Sequence, residues 1–578
     1  MGDPDCTVCR APGHETAGDR ARRWGTLDQP WDVVVIGGGI TGAGIFREAV
    51  RQGYRTVLLE RGDFASGTSS RSGKLVHGGL RYLKQGQVRV TWHSVRERER
   101  LLRELPGLVT PLDILLPVYR GDPVGGFLLK VGLVIYDSMA MRRGHEYYPA
   151  PAFLGMAPLA RKEGLLGGFR YRDALTDDAR LVLRVIREGV DAGGVALNYA
   201  PVEELCLPRS GRERGRVEGL VVRDAVTGST VEVRARAVVN AAGIWADRLR
   251  VRLGRRPRLR LLRGSHLIFP EARLPVARGI NVFHPADGRP LYVLPWEGVT
   301  LVGTTDVDHG EDPEGEPRIS TVEAEYLLEA VRHQFPSLDL GPDDVLSTFA
   351  GVRAVVGTGK KDPSRESRDY AVWREEMLTV AGGKLTTFGV LARSALRRLR
   401  AQLPPAREPA TRGSAAREAA TREHAAPGAA SPAPAARADA APGTVGGAPA
   451  LDPAAWLRLQ GRYGPEAPDL VNKAGPGELE PVPGTATLWA ELRWAAARED
   501  VVHLDDLLLR RVRLGLQLPQ GAIPLLDRIR PLVQGELGWD DTRWQQEVDR
   551  YVALWESSYS PALAGASPCR RKEGGHGR

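Results

Sequence analysis

Residues 31–60 read WDVVVIGGGITGAGIFREAVRQGYRTVLLE, and the order of features within them decides the fold. Residues 32–36 (DVVVI) form a short apolar, β-branched run, as expected of a strand. Gly37, Gly38, Gly39, Ile40, Thr41 and Gly42 follow at once and match GxGxxG. In that pattern Gly37 permits a tight turn, Gly39 lets the backbone approach a pyrophosphate, and Gly42 lets the next helix pack close to the sheet. The spacing predicts a helix over 41–52, with its positive N-terminus aimed at phosphates. A second strand, 56–59 (TVLL), ends in Glu60, a carboxylate able to accept hydrogen bonds from both ribose hydroxyls of an adenosine. A glycine-rich turn alone would be a weak signal. Strand, glycines, helix, strand and acid in order within about thirty residues specify a dinucleotide-binding unit.

Two later segments favour FAD over NAD. One is a strand over 237–241 that runs into Ala242, Gly243, Ile244 and Trp245; the other is a strand over 378–381 that runs into Gly382, Gly383 and Lys384. Both end in glycine beside a helix start, which brings backbone close to a cofactor. Alternation over 265–269, 291–295 and 300–303, with Trp296, Glu297 and Gly298 as a turn, predicts part of a second sheet.

At 578 residues the chain is long enough for two or three domains, and its 42% hydrophobic and 26% charged residues suit a globular protein. No window approaches eighteen consecutive apolar residues, and the N-terminus lacks the apolar stretch of a secretory signal, so a cytoplasmic location is expected. The four cysteines cannot form a disulfide scaffold. Cys6 and Cys9 form a lone CxxC followed by His14, short of the ligands a zinc site needs, and no metal is expected. The net charge of +9 suits acidic lipid head groups, an anionic substrate or nucleic acid without choosing among them. Residues 1–30 read as a disordered extension and 31–400 as the cofactor-binding unit. The Ala/Pro-rich stretch 401–450 reads as a disordered linker, and 561–578 as a disordered tail. Helical spacing over 456–463, 488–497, 504–514 and 544–555 predicts a helical C-terminal domain across 451–560.

The stretch after Glu60, RGDFASGTSSRSGKLVHGGLRYLKQG, closely resembles the FAD-dependent glycerol-3-phosphate dehydrogenases of the aerobic, quinone-linked type. Residues 72–83 (SGKLVHGGLRYL) are its most specific block. Further similar blocks are 176–181 (TDDARL), 263–266 (RGSH), 302–306 (VGTTD), 351–353 (GVR), 367–370 (SRDY) and 382–387 (GGKLTT), in the family's order. The resemblance implies an α/β fold: a Rossmann-like, glutathione-reductase-like FAD domain, an interleaved α+β substrate domain at about 251–345, and the helical C-terminal domain. It implies oxidation of sn-glycerol 3-phosphate to dihydroxyacetone phosphate, with hydride passing to flavin N5 and electrons then to quinone. It also implies peripheral association with the inner face of the cell membrane and is compatible with a homodimer.

Residue roles follow from the same resemblance. A phosphate monoester needs charge-assisted, preferably bidentate partners, and Arg81, Arg353 and Arg368 lie in blocks placed near substrate. Tyr82 and Thr305 are candidate hydrogen-bond donors to it. His266 is the candidate base or substrate contact, since oxidising a secondary alcohol requires removal of the hydroxyl proton. Lys384 could instead polarise the flavin N1/C2 locus, and with Arg353 completes the candidate catalytic set. For the cofactor the candidates are Gly37, Gly39, Gly42, Glu60, Thr68, Ser69, Lys74, His77, Gly78, Gly243, Gly382, Gly383 and Lys384. The resemblance to related flavoproteins leaves covalent attachment through His77 possible, and nothing in the sequence requires it. Thr41, Ile244 and Phe388 stand where the family pattern has asparagine, proline and tyrosine; only Phe388, which removes a hydroxyl, bears on a polar role. Three alternatives stay open: an oxygen-using glycerol-3-phosphate oxidase, an amine or amino-acid oxidase, and a flavin-binding RNA-modification factor using its positive charge. Nucleic acid is not expected as a partner of the favoured reading.

Overall fold

The computed structural model describes residues 15–80, 88–122, 125–141, 144–208, 215–357, 359, 366, 369–405 and 451–561. The strand Trp31–Ile36 is buried along its whole length and pairs in parallel with Thr56–Leu59 on one side and Thr230–Asn240 on the other. Val195–Leu197 and Leu378–Gly382 extend this parallel sheet at its two sides, and Tyr370–Arg374 closes one edge antiparallel. Helices Ile40–Arg51, Asp178–Asp191 and Phe388–Leu399 bury Ile45, Phe46, Val182, Ile186, Leu391 and Ala395 in one core with Val33 and Val35 of the central strand. Val34 and Ile36 point to the other face, into a core covered by the meander Val202–Cys206, Gly219–Arg223 and the first part of Thr230–Asn240. A central strand covered on both faces has no polar side, which is why 32–36 reads as a continuous apolar run.

Two glycines of the turn are required by geometry. Gly37 has φ +113°, and a Cβ there would lie 2.5 Å from the Ala241 carbonyl oxygen. A Cβ on Gly42 would lie 1.9 Å from the Gly37 carbonyl oxygen, so only a glycine lets the helix start against the turn.

The second sheet has nine strands and draws on more of the chain than 251–345. Leu259–Pro270 pairs with Val299–Gly303 and Ser347–Val356, as alternation predicted for its central part. Val109–Tyr119 and Leu165–Thr176 also join it, through the parallel pairing of Gly279–Phe283 with Val109–Tyr119. The sequence reading missed these strands because the sheet is assembled from two separated stretches of chain. The hairpin turn at 296–298 holds as read, with Glu297 at φ +49° and Gly298 at φ +86°. Helix Thr321–Gln334, opened by a capping box between Ser320 and Glu323, packs against one face of the sheet.

The C-terminal helices cover the other face. Leu508, Val512, Leu514 and Trp489 share a core with Ile268, Trp296 and Phe349 of the sheet. Helices Pro453–Tyr463, Trp489–Arg498 and Asp541–Ser558 match the periodicity. The helix expected over 504–514 is instead a π-helical turn, Asp506–Arg511, ended by Arg513 at φ +64°. That irregularity turns Arg510 and Arg511 onto buried Asp63, and Arg513 onto Asp177 and Asp178. The extension expected to be disordered contains a helix, Glu15–Trp24. Arg20 pairs with Asp224 at 2.7 Å, and the Arg23 guanidinium donates to the Ala196 carbonyl at 2.8 Å. Trp24 adds packing against the core beneath the sheet, but the pairings of Arg20 and Arg23 are long-range polar contacts that apolar periodicity could not reveal. Cys6, Cys9, His14, most of the linker (406–450) and the tail from 562 lie outside the described residues.

Candidate active site

The parallel strands all end at one cleft of about 330 Å³, the position where open α/β sheets bind ligands. The glycine turn forms one wall, and the helix Ile40–Arg51 begins in it with no acidic residue in its first turn. Its field therefore favours an anion at that point. Ser69 accepts a hydrogen bond from the Ile40 N–H at 3.0 Å, and a Cβ on Gly39 would press on the Ser69 hydroxyl at 3.1 Å. At the end of Thr56–Leu59, Glu60 accepts from the Gly38 N–H at 2.6 Å and the Gly62 N–H at 2.9 Å. Burial pushes its carboxyl above the ordinary range, against the pull of these two N–H groups.

Opposite, Gly243 (φ +57°) follows Thr230–Asn240, and Gly382 and Gly383 (φ +72° and +89°) end Leu378–Gly382. A Cβ on Gly243 would meet nothing within 4 Å, so that backbone abuts the open cleft. Thr68, Lys384 and Arg353 complete this part of the lining. A helix N-terminus, a carboxylate at the cleft wall after the second strand and glycine backbone at three strand ends fit FAD.

Gly37, Gly39, Glu60, Thr68, Ser69, Gly243, Gly382, Gly383, Lys384 and Arg353 thus line one cleft. Other candidates are placed differently. Gly42 acts in packing, as above. Gly78 donates its N–H to the Tyr136 hydroxyl at 2.8 Å, in the core rather than at the cleft wall. His77 meets the 385–387 segment through its backbone, accepting from the Thr386 hydroxyl at 3.4 Å. Lys74 does not reach the cofactor cleft: its wholly buried ammonium is bound to Asp178 at 2.8 Å. Burial, with Arg513 nearby, pushes that ammonium down to about 8. The Thr305 hydroxyl is also turned inward, donating to Glu323 at 2.7 Å and accepting from the Ser265 N–H at 2.8 Å. Its neighbour Thr304 stands beside the Arg353 guanidinium instead, at 3.5 Å. Arg81, Tyr82 and Arg368 lie outside the described residues.

His266 is 2% exposed on Leu259–Pro270, opposite Phe349 of Ser347–Val356, and the two rings stack with centroids 4.5 Å apart. A side chain at Gly303 would collide with it, the Cβ lying 2.1 Å from Cδ2. Neither ring nitrogen has a hydrogen-bond partner among the described residues, uncommon for a buried polar group. Burial, then the Lys74 and Arg353 charges, hold the imidazole well below its ordinary range, so it stays neutral and basic in form. Arg353 is partly exposed, 3.7 Å from Asp306, and Lys384 Nζ donates to the Ser94 hydroxyl at 3.3 Å.

Arg61, Trp245 and Arg248 also line the cleft and were missed from sequence. The Arg61 guanidinium lies 4.6 Å over the Trp245 ring, and Arg61 and Arg248 both pair with Glu314. Their adjacency to Glu60 and Gly243 was the available signal, but a lone arginine in an arginine-rich chain carries little.

A family model described as FAD dependent oxidoreductase matches residues 32–387. The chain belongs to that family. A second model, the C-terminal domain of alpha-glycerophosphate oxidase, matches residues 419–544. Proteins named aerobic glycerol-3-phosphate dehydrogenase from Staphylococcus haemolyticus and Bacillus subtilis are each 38% identical over 63% of this chain. The matched stretches span 66% and 65% of those relatives, just under two thirds of their length. The crystal structure of the glycerol-3-phosphate dehydrogenase from Bacillus halodurans, complexed with FAD, aligns with a TM-score of 0.70 at 27% identity, covering 95% of this chain and 99% of that one. An L-alpha-glycerophosphate oxidase from Mycoplasma pneumoniae with FAD bound shares the fold, at TM-score 0.51 and 17% identity over 64% of this chain and 95% of that one. As a member of this family the chain is an FAD-dependent oxidoreductase, and the cleft is where its residues would hold FAD: the glycine turn and helix start at the pyrophosphate, Glu60 at the ribose.

Proposed function

We propose that this oxidoreductase converts sn-glycerol 3-phosphate to dihydroxyacetone phosphate. The observation that carries the reading is that neutral, buried His266 lies in the field of Arg353, and Arg353 lines the cleft with Gly382, Gly383 and Lys384, although His266 itself does not line it. The names of the 38% identical relatives and of the Bacillus halodurans structure support the same substrate. FAD, when bound, supplies the two-electron acceptor for the hydrogen leaving C2. His266 accepts the proton of the C2 hydroxyl, which a neutral imidazole can do and an imidazolium cannot. Arg353 binds the phosphate as a planar donor, with Thr304 beside it. Arg81, Tyr82 and Arg368 remain proposed partners of the same substrate. Lys384 holds positive charge at the cofactor end, where negative charge develops on reduction. Anaerobic mixing with glycerol 3-phosphate, followed by flavin absorbance, tests the reading; a flavin that stays oxidised while other alcohols bleach it would end it.

The electron acceptor in this reading is quinone, and the protein rests on a membrane surface. No helix of the described residues is long and apolar enough to cross a bilayer. Helix Gly126–Ala140 (GFLLKVGLVIYDSMA) nevertheless leaves Phe127 81% and Leu128 60% exposed, with Met141 at its end. Arg96 lies over the exposed Trp92 ring at 5.0 Å and 3.7 Å from the Met141 sulfur. Apolar side chains edged by tryptophan and arginine suit the head-group boundary of an anionic bilayer. The match to an alpha-glycerophosphate oxidase C-terminal domain keeps oxygen as a second acceptor. Stoichiometric hydrogen peroxide during turnover in air would favour oxygen.

A further inference from the structure

Lys74 was expected at the cofactor and is found in a buried cluster of charge instead. Its ammonium donates to both Asp178 carboxylate oxygens, at 2.8 and 2.9 Å, and to the Ser70 carbonyl at 2.7 Å. Arg513, from the C-terminal helices, reaches the same carboxylate and donates to the same Ser70 carbonyl at 2.9 Å. Ser72 adds two more donors to Asp178, its N–H and its hydroxyl, each at 2.8 Å. With the Ala179 N–H at 3.0 Å, Asp178 has hydrogen-bond donors on both oxygens without Lys74, and Lys74 and Arg513 share the neutralisation of Asp178 and its neighbour Asp177. The ammonium has a further contact: Nζ lies 4.7 Å over the centroid of the Phe349 ring, the ring that stacks on His266. A desolvated cation over an aromatic face is attracted by the ring quadrupole.

We infer that Lys74 is a positioning residue: clamped by Asp178 and Arg513, it anchors Phe349 and through that ring sets the plane and the electrostatic surroundings of His266. The inference rests on the reading of His266 as the proton acceptor. The charged groups that face His266 are Lys74 and Arg353, and both oppose its protonation in addition to burial. Gly73 and Gly303 bound the ring from other sides, a Cβ on Gly73 lying 3.5 Å from Nε2. The C-terminal helices, through Arg513, thus reach the reacting end of the cleft without lining it. Removing the Lys74 charge takes away one of the two opposing cations, so His266 becomes more basic.

The test uses the FAD-loaded enzyme with labelled histidine, following the His266 ring signals by NMR against pH, with kcat/KM for glycerol 3-phosphate measured over the same range. Lys74→Met keeps the length and apolar stem without the charge. Phe349→Leu leaves every ion pair intact and removes only the ring. In the wild type the His266 signals should stay those of a neutral ring well below the ordinary imidazole range. In Lys74→Met the titration should rise by about one pH unit, a roughly tenfold gain in proton affinity, and the acidic limb of kcat/KM should rise with it. Phe349→Leu should lower kcat by roughly tenfold with little change in KM, and broaden the His266 signals. Unchanged His266 titration in folded Lys74→Met would overturn the inference. So would wild-type His266 signals and kcat in Phe349→Leu, which decides the matter if Lys74→Met does not fold. A titration that moves while the acidic limb stays fixed would support the positioning role and remove His266 as the base.

Discussion

The ends of the cleft proposed to take the adenosine and to carry out the reaction are built from different parts of the chain. At the proposed adenosine end the central elements come from residues 37–60, the turn from Gly37, the helix start at Ile40 and Glu60 held by the Gly38 and Gly62 N–H groups, with 200–203 and 248–252 completing the wall. At the proposed reacting end it is the side chains of Arg353 and Lys384, far apart in sequence, with Thr304 beside Arg353 and with His266, Phe349, Lys74 and Arg513 in the packing behind. A backbone site is set by where glycine is required, and it changes little with its surroundings. A side-chain site depends on the packing behind it, so residues that never touch substrate can alter it.

The largest expected effect is at the backbone end. Gly39→Val places a branched side chain against Ser69, where a pyrophosphate must approach, so the protein should purify colourless, with FAD affinity lowered on the order of 100-fold or more. Stoichiometric flavin in that variant would mean that the two ends are not as different as the geometry indicates.

At the side-chain end His266→Gln should retain its flavin but lose roughly 10²- to 10⁴-fold in the rate of flavin reduction, the usual contribution of a positioned base. Anaerobic stopped-flow absorbance measures this directly, and a loss of only a few-fold would place the proton acceptor elsewhere. The acidic limb should vanish with the imidazole. His266 is held below its ordinary range, so the wild type keeps the neutral, active form as pH falls past 6.5, and activity declines only in more acidic solution.

Arg353→Ala should cost about 1.5 to 3 kcal/mol in kcat/KM for glycerol 3-phosphate, or about ten- to hundredfold, from lost charge-assisted hydrogen bonds. With glycerol, which lacks the phosphate, wild type and variant should be similarly poor. Arg353→Lys should recover part of the loss, keeping the charge but not the planar fork. Equal losses on both substrates would assign Arg353 to the structure of the pocket and not to the phosphate.

The smallest effect is expected away from both ends. Phe127→Asp removes the most exposed apolar side chain of helix Gly126–Ala140 and should weaken binding to anionic vesicles by several-fold, leaving flavin reduction by glycerol 3-phosphate unchanged. Vesicle sedimentation at low and high salt measures it. Binding identical to wild type would move the membrane-facing surface elsewhere.

Legibility in the sequence follows the same division. The glycine turn, its strands, its helix and Glu60 were readable because each is fixed by neighbours only a few residues away; a helix start, a tight turn and a strand end are local geometries. The strands around His266 and Leu291 were readable for the same reason, by alternation. What distinguishes Lys74 from Lys384 is not local. Both sit in glycine-rich blocks, and the sequence placed both at the cofactor. Only folding shows that Lys74 is enclosed by Asp178 and Arg513, the latter more than four hundred residues away, while Lys384 lines the cleft. Likewise Thr305 and Thr304 are equivalent in sequence, and it is Glu323, on a following helix, that turns the Thr305 hydroxyl inward. The chain's own order thus determined a dinucleotide fold, its cofactor turn and the candidate chemistry. The tertiary structure decided which polar groups face the cleft. A buried charge must find its partner wherever the fold brings one, and that choice is made across the whole chain.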